Sequence, residues 1–195
     1  IIGRGGYTPC KCVVEGDYSQ AAFFEVANAL GSQINILGLD KNSLQGDKKI
    51  VEICSQVMYN KNNELDAFEL DCSDIPDLVP VLAVLASFCK GKSRITNVAR
   101  LRIKECDRLE AISQCLNKTG GRVTEFPDSL EIEGVKFLSG GEVDSFNDHR
   151  IPMAMAIAAT KSKSPILIKN AECVSKSYPD FFEVYEKLGG KIRRF

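Results

Sequence analysis

The chain has 195 residues and balances 25 Lys and Arg against 26 Asp and Glu, a formal charge of −1. Hydrophobic residues make up 44% and charged residues 26%, a globular composition that excludes a disordered chain and suits one large or two small domains. The balance excludes the overall basic footprint of a nucleic-acid binder, and the longest mostly apolar stretch, 75–89, is too short and too broken by Pro76, Asp77 and Pro80 to span a bilayer.

Residues 1–13, with GRGG and a Thr8-Pro9 turn, read as a leftover strand or linker from a preceding domain. The chain opens on Ile1 rather than Met, so it is expected to be part of something longer. No charged-then-apolar leader is visible there, so no secretory signal is expected. Eight cysteines stand at 10, 12, 54, 72, 89, 106, 115 and 173. Cys10-Lys11-Cys12 lacks the usual zinc spacing, and the single histidine, His149, is far off in sequence, so no metal site is expected. Cys54, Cys89 and Cys115 fall among apolar residues at helical spacing, where cysteine acts as a small hydrophobe. Buried free thiols and a reducing cytoplasm are the expectation.

From Val14 onward the pattern repeats at roughly sixty to seventy residues. Asp17, Asp77 and Asp148 each open an apolar, alanine-rich run suited to a buried helix with an acidic cap. A β-like run follows each: 34–39 (INILGL), 94–101 (RITNVARL) and 165–170 (PILIKN). A second helix then opens at Asp47, Asp107 and Asp180, at offsets of 30, 30 and 32 from the first. Residues 122–126 and 129–138 alternate in polarity and predict a hairpin across Pro127-Asp128. The repeats are placed at about 14–76, 77–147 and 148–195. One such unit cannot bury both faces of its sheet, so three are expected to share a core of helices.

Basic residues sit where a helix dipole disfavours them. Lys104 and Arg108 flank Asp107, Arg150 follows Asp148 and His149, Lys176 precedes SYPDFF, and Lys48 and Lys49 follow Asp47. A cation at a helix start costs roughly 0.3–1 kcal/mol, whereas an anion is favoured there. Either bound anions offset that cost, or neighbouring carboxylates balance solvated first turns. Lys104, Asp107 and Arg108 stand at i, i+3 and i+4 and would share one helix face, with Glu105 beside them as a proton carrier or a dipole decoration. The Asn147-Asp148-His149-Arg150 run offers a cap, an imidazole and a guanidinium able to grip a phosphate or carboxylate. His149 is open to a structural or a catalytic reading. Pro152 fits a helix starting near Arg150, with its cap at Asp148 or His149.

The segments VEGDYSQAAFF (14–24), NSLQGD (42–47), IPD (75–77), LRIKECDRL (101–109), NDHRIPMAMA (147–156) and KSYPDFF (176–182) occur in this order. Together they resemble the C-terminal half of the 5-enolpyruvylshikimate-3-phosphate (EPSP) synthases, from about Val14 to Leu188. KECDR and NDHR with IPD upstream are the specific part. The resemblance implies an α/β (α+β) domain of the enolpyruvyltransferase and RNA-cyclase type: three βαβαββ repeats about a pseudo-threefold axis, helices in the core and sheets outside. It implies transfer of the enolpyruvyl group of phosphoenolpyruvate to the 5-hydroxyl of shikimate 3-phosphate, with release of phosphate and no cofactor. Partners would be those two small molecules and a missing N-terminal domain, with no nucleic acid or membrane, and the protein would be a monomer.

By the same resemblance, Asp77 would be the base near the 5-hydroxyl, and Glu105 would move the proton at the methylene carbon, aided by Lys104 or His149. Arg108, Arg150 and Lys176 would bind phosphoenolpyruvate, Lys104 and Asp77 shikimate 3-phosphate, and Asp148 would orient His149 and Arg150. Arg100 stands where some members carry a substrate-touching asparagine, and Cys106 replaces an expected Ser or Thr. With the other substrate-binding half missing, the chain alone is expected to fold but barely turn over. UDP-N-acetylglucosamine enolpyruvyl transferases share the architecture but are expected to lack KECDR and NDHR at these positions. The reading from another class is a non-catalytic repeat scaffold or nucleic-acid clamp, and the charge balance argues against the clamp.

Overall fold

Three apolar helices set the architecture: α1 (Tyr18–Ala29), α3 (Val79–Ala86) and α5 (Arg150–Ala159). All eight residues of α3 are buried, as is every residue of α5 from Arg150 to Ala158. A helix apolar all round has to sit inside; each of the three touches the other two, forming the central core. Each fully buried Val or Leu contributes about 1.5–3 kcal/mol relative to exposure. The computed structural model describes residues 5, 6, 8–57 and 64–195; of the segment expected as a strand or linker, residues 1–4 and 7 lie outside these.

Around the core run α2 (Lys49–Gln56), α4 (Arg108–Lys118) and α6 (Phe181–Lys187). Helix α2 packs on α1, while α4 packs on α3 and α5. Phe181 of α6 sets its ring against Phe23 and Phe24 of α1, with centroids 6.0 and 5.9 Å away, and Tyr185 donates to the Ala156 carbonyl at 3.0 Å.

The strands lie outside. β1 (Leu65–Asp66) runs parallel to β3 (Cys89–Lys90), and β7 (Gly141–Asp144) to β8 (Ile166–Lys169). A four-stranded sheet has the order β2 (Glu69–Asp71), β4 (Lys92–Thr96), β6 (Ser129–Glu133), β5 (Arg122–Phe126). β2 and β4 are parallel across α3; β5 and β6 form the antiparallel hairpin expected across Pro127-Asp128. The middle unit thus reads β2–α3–β4–α4–β5–β6 in full.

Several expectations need correction. The run 34–39 forms no strand; it meets residue 16 through one bond, Gly16 N to Gly38 O at 3.3 Å, and alternation without a paired neighbour makes no ladder. The run 94–101 stays in β4 only to Thr96, because Asn97 turns left-handed (φ 60°) and 99–103 winds into a 3-10 turn. Segment 129–138 ends its strand at Glu133. Of the expected acidic caps, Asp17 accepts from Ser19 N, Asp107 from Glu110 N and Asp148 from Arg150 N. Asp47, Asp77 and Asp180 make no such cap bond. Asp77 lies inside the Pro76–Leu78 3-10 turn, where its carboxylate is free to face cations.

Candidate active site

The amino ends of α1, α3 and α5 meet on one side of the core. Arg150, first residue of α5, reaches Asp77 before α3 with Nη2 to Oδ2 at 3.1 Å and Nη1 to the Asp77 carbonyl at 3.2 Å. Arg108, first residue of α4, stands between them. Its Nε donates to Asp148 Oδ2 at 2.6 Å, Nη1 to Asp77 Oδ1 at 2.7 Å, and Nη2 to Glu105 Oε2. Lys104 Nζ stands 3.3 Å from Asp77 Oδ1, and His149 Nδ1 stands 3.6 Å from Glu105 Oε1. The structure therefore brings Asp77, Lys104, Glu105, Arg108, His149 and Arg150 into one network.

Burial is graded through it. The Asp148 side chain is 0% exposed and Arg108 2%, whereas Asp77, Lys104 and Glu105 are 32%, 30% and 38% exposed. The cluster is sealed at its base and open to solvent at one side. Two of its nitrogens, His149 Nδ1 and Arg150 Nε, are buried and have no hydrogen-bond partner among the described residues. Buried polar atoms are costly in a protein interior unless water or a ligand meets them.

Local sequence explains the placement. Lys104 is extended (φ −83°, ψ −155°), so residues 104–107 leave the 3-10 turn before Asp107 caps α4. Lys104, Asp107 and Arg108 consequently do not share a helix face, contrary to the spacing argument. Lys104 and Arg108 face Asp77, while Asp107 Oδ2 accepts from Arg102 at 2.8 Å. Before α5, Phe146 and Asn147 are both left-handed (φ 52° and 55°), a conformation uncommon outside glycine and rare for a bulky side chain. That double turn sends Asp148 inward, where Oδ1 accepts from Arg150 N at 2.9 Å.

Lys176 stands apart from the network. It is exposed, and its Nζ donates to the Asn147 carbonyl at 2.5 Å and to Asn147 Oδ1 at 3.0 Å. Lys48 does not join either; it holds the carbonyls of Lys41 and Ser43. Arg100 is exposed. The sequence reading left out Asp47 as a site residue. Ser19 Oγ donates to Asp47 Oδ2, and Asp47 is close enough to Arg150, Asp77 and Asp17 for their charges to act on it. NSLQGD, a helix start and one of the resembling segments, held the signal: a carboxylate in a tight turn.

The electrostatics follow from burial and charge. Burial pushes Asp77 up, but Arg150, Arg108 and Lys104 together hold its carboxyl below the usual range. Burial, then the Arg150 cation, push His149 below the ordinary histidine range, which leaves its imidazole neutral at neutral pH. Burial raises Asp47 despite the Ser19 hydroxyl and Arg150. Cys106 Sγ lies 3.6 Å from Asp148 Oδ2, and burial with that carboxylate pushes the thiol to about 12. Among the described residues no three or more His, Cys, Asp or Glu side chains converge as metal ligands would, and none of the eight cysteines is paired.

Residues 1–185 match the family model described as EPSP synthase (3-phosphoshikimate 1-carboxyvinyltransferase). The chain belongs to the EPSP synthase family. It is 48% identical to a 3-phosphoshikimate 1-carboxyvinyltransferase of Clostridium perfringens, covering 99% of this chain and 48% of that protein. Against that of Clostridioides difficile the figures are 50%, 98% and 46%. The chain therefore spans about half the length of the curated EPSP synthases it matches. An EPSP synthase structure from Acinetobacter baumannii superposes with a TM-score of 0.82 at 26% identity, over 92% of this chain and 47% of that one. The enolpyruvyl transferase NikO of Streptomyces tendae, at 16% identity and a TM-score of 0.63 over 92% of this chain and 44% of that one, shares the fold. The α/β enolpyruvyltransferase fold expected from the sequence is the fold found.

Proposed function

We propose that this chain is the phosphoenolpyruvate-binding half of an EPSP synthase. The whole protein would transfer the enolpyruvyl group of phosphoenolpyruvate to the 5-hydroxyl of shikimate 3-phosphate and release phosphate. The observation that supports this best is a set of cations that share two half-exposed carboxylates, Asp77 and Glu105, above the buried Arg108–Asp148 pair. Arg108, Arg150 and Lys104 are all held on Asp77, and Glu105 is the further partner of Arg108. A carboxylate-and-phosphate ligand offers the oxygens that Asp77 and Glu105 offer now, and can meet Arg150 Nε as well.

Addition and elimination then share the work among the same groups. Protonation of the methylene carbon by Glu105 makes the neighbouring carbon electron-poor. The 5-hydroxyl adds to that carbon while Asp77 takes its proton. Loss of phosphate, which carries off the proton held by Asp77, and return of a proton from the new methyl group to Glu105 restore the double bond. Neutral His149, 3.6 Å from Glu105, suits a proton relay with that carboxyl. Lys176 closes on the phosphoenolpyruvate from its hold on Asn147. While three cations grip it, Asp77 is a weak base; a substrate anion that draws Arg108 and Arg150 away strengthens it at the moment it is needed.

No helix among the described residues is long and apolar enough to cross a membrane; as the family resemblance implies, we expect a cytoplasmic monomer. The test is phosphate release from phosphoenolpyruvate by the polypeptide at the length of its relatives. Release that requires shikimate 3-phosphate, is not supported by UDP-N-acetylglucosamine, and drops by orders of magnitude in the 195-residue chain is the expected result. No release at full length would refute the proposal.

A further inference from the structure

The loops that carry the cluster are tied by the same device twice. β2 ends at Asp71, whose Oδ2 accepts from Asn97 Nδ2 at 2.7 Å and whose Oδ1 accepts from Ser73 N at 2.9 Å. β7 ends at Asp144, whose Oδ2 accepts from Asn170 Nδ2 at 3.0 Å and whose Oδ1 accepts from Phe146 N at 2.7 Å. Asn97 and Asn170 each follow the parallel partner strand, and both are left-handed, with φ 60° and 54°. Backbone bonds close each bridge: Cys72 N to Thr96 O at 3.0 Å, and Ser145 N to Lys169 O at 3.1 Å.

Glycine is the least strained residue for a left-handed position. The first repeat carries a glycine within its run 34–39, Gly38 at φ 85°, with no side-chain amide to offer. The loop before α1 carries none of the networked side chains. The two units that spend an asparagine are those whose loops deliver Asp77 and the Asp148-His149-Arg150 run. Both asparagines are exposed, so the bridges add little to core stability, and a role in aiming the loops is what distinguishes them from Gly38.

We propose that Asp71–Asn97 and Asp144–Asn170 are positioning pairs for the cluster, the first setting Asp77 against its three cations and the second setting His149 and Arg150. The inference rests on the cluster being the active site, but its test reads geometry without turnover. His149 is the chain's only histidine, so its imidazole signals can be followed by NMR through a pH titration of the 195-residue chain. Arg150, Asp148, Glu105 and Arg108 are the charged groups that act on it.

N170G keeps the left-handed backbone and removes the amide without changing charge. It should raise the His149 midpoint towards the ordinary histidine range as the loop loosens, with the thermal midpoint nearly unchanged. The exchange D144N/N170D reverses donor and acceptor, restores the bridge and should return the wild-type midpoint. N97G should raise the carboxyl titration of Asp77, followed by carbon-13 NMR, and leave His149 alone. Wild-type titration in both glycine variants, or an exchange variant that behaves like N170G, overturns the proposal. If N170G does not fold, the exchange decides: a wild-type midpoint supports the pairing and a raised one refutes it. Loss of transferase activity in the wild-type full-length protein would count against the function and leave these titrations to stand.

Discussion

At the scale of single residues, Arg108 and Lys176 are both proposed to bind phosphoenolpyruvate but differ in what else they do. Arg108 is buried on Asp148, a carboxylate with no exposure of its own. Truncating Arg108 to Met leaves that charge unpaired in the interior and should cost about 3–5 kcal/mol in denaturant unfolding. Lys176 is exposed and holds Asn147, so K176A should stay within about 0.5 kcal/mol of wild type while weakening phosphoenolpyruvate binding. Equal destabilisation by the two variants would contradict this division. His149 carries a pH signature. Burial and Arg150 hold its imidazole below the ordinary range, so below that range the unfolded chain binds a proton the folded chain does not. Stability contributed by neutral His149 is therefore full above the unfolded value and is lost as pH falls towards the folded one. Asp47 and Glu25, raised by burial, work in the opposite sense at lower pH. Thermal midpoints between about pH 7.5 and about pH 5.5 should fall more steeply in wild type than in H149Q; parallel curves would discount the imidazole.

At the scale of elements, helices read well from the sequence and strands read poorly. The runs opening at Asp17, Asp77 and Asp148 became the three central helices because apolar residues all round leave a helix nowhere but the core. Strand assignment failed where pairing decides it. The run 34–39 has the composition of β8 yet only one backbone bond to residue 16, and 94–101 is cut at Asn97 by a left-handed turn. The short strands β1, β2, β3 and β7 had no period to betray them. Aspartate is similarly ambiguous, since the same residue type caps at position 17 and binds cations at position 77. D17A should cost about 1 kcal/mol through the lost cap, whereas D77N should abolish turnover with no cap to lose. L82A, in the fully buried α3, should cost about 2–5 kcal/mol, measured against the same unfolding baseline. A D77N chain destabilised like D17A, with turnover intact, would reverse the assignment of the two carboxylates.

At the scale of the whole molecule, the charge of −1 conceals a local concentration of charge, three cations and three carboxylates drawn together from the second and third of the expected repeats. The motifs named most of its members, because KECDR and NDHR each set two or more of them within a few residues. Their convergence on Asp77 was not legible, since it depends on how α3, α4 and α5 pack. Nor was the burial of Asp148, which depends on the double left-handed turn at Phe146 and Asn147. What the packing adds is the idea that Asp77 and Glu105 occupy the cations in the place of a substrate anion. The direct measurement is the carboxyl titration of Asp77, by carbon-13 NMR, in the protein at the length of its relatives with and without phosphoenolpyruvate. Displacement of Arg108 and Arg150 onto the ligand predicts a rise from its depressed value towards the ordinary aspartate range. An Asp77 titration unmoved by saturating phosphoenolpyruvate would contradict the account.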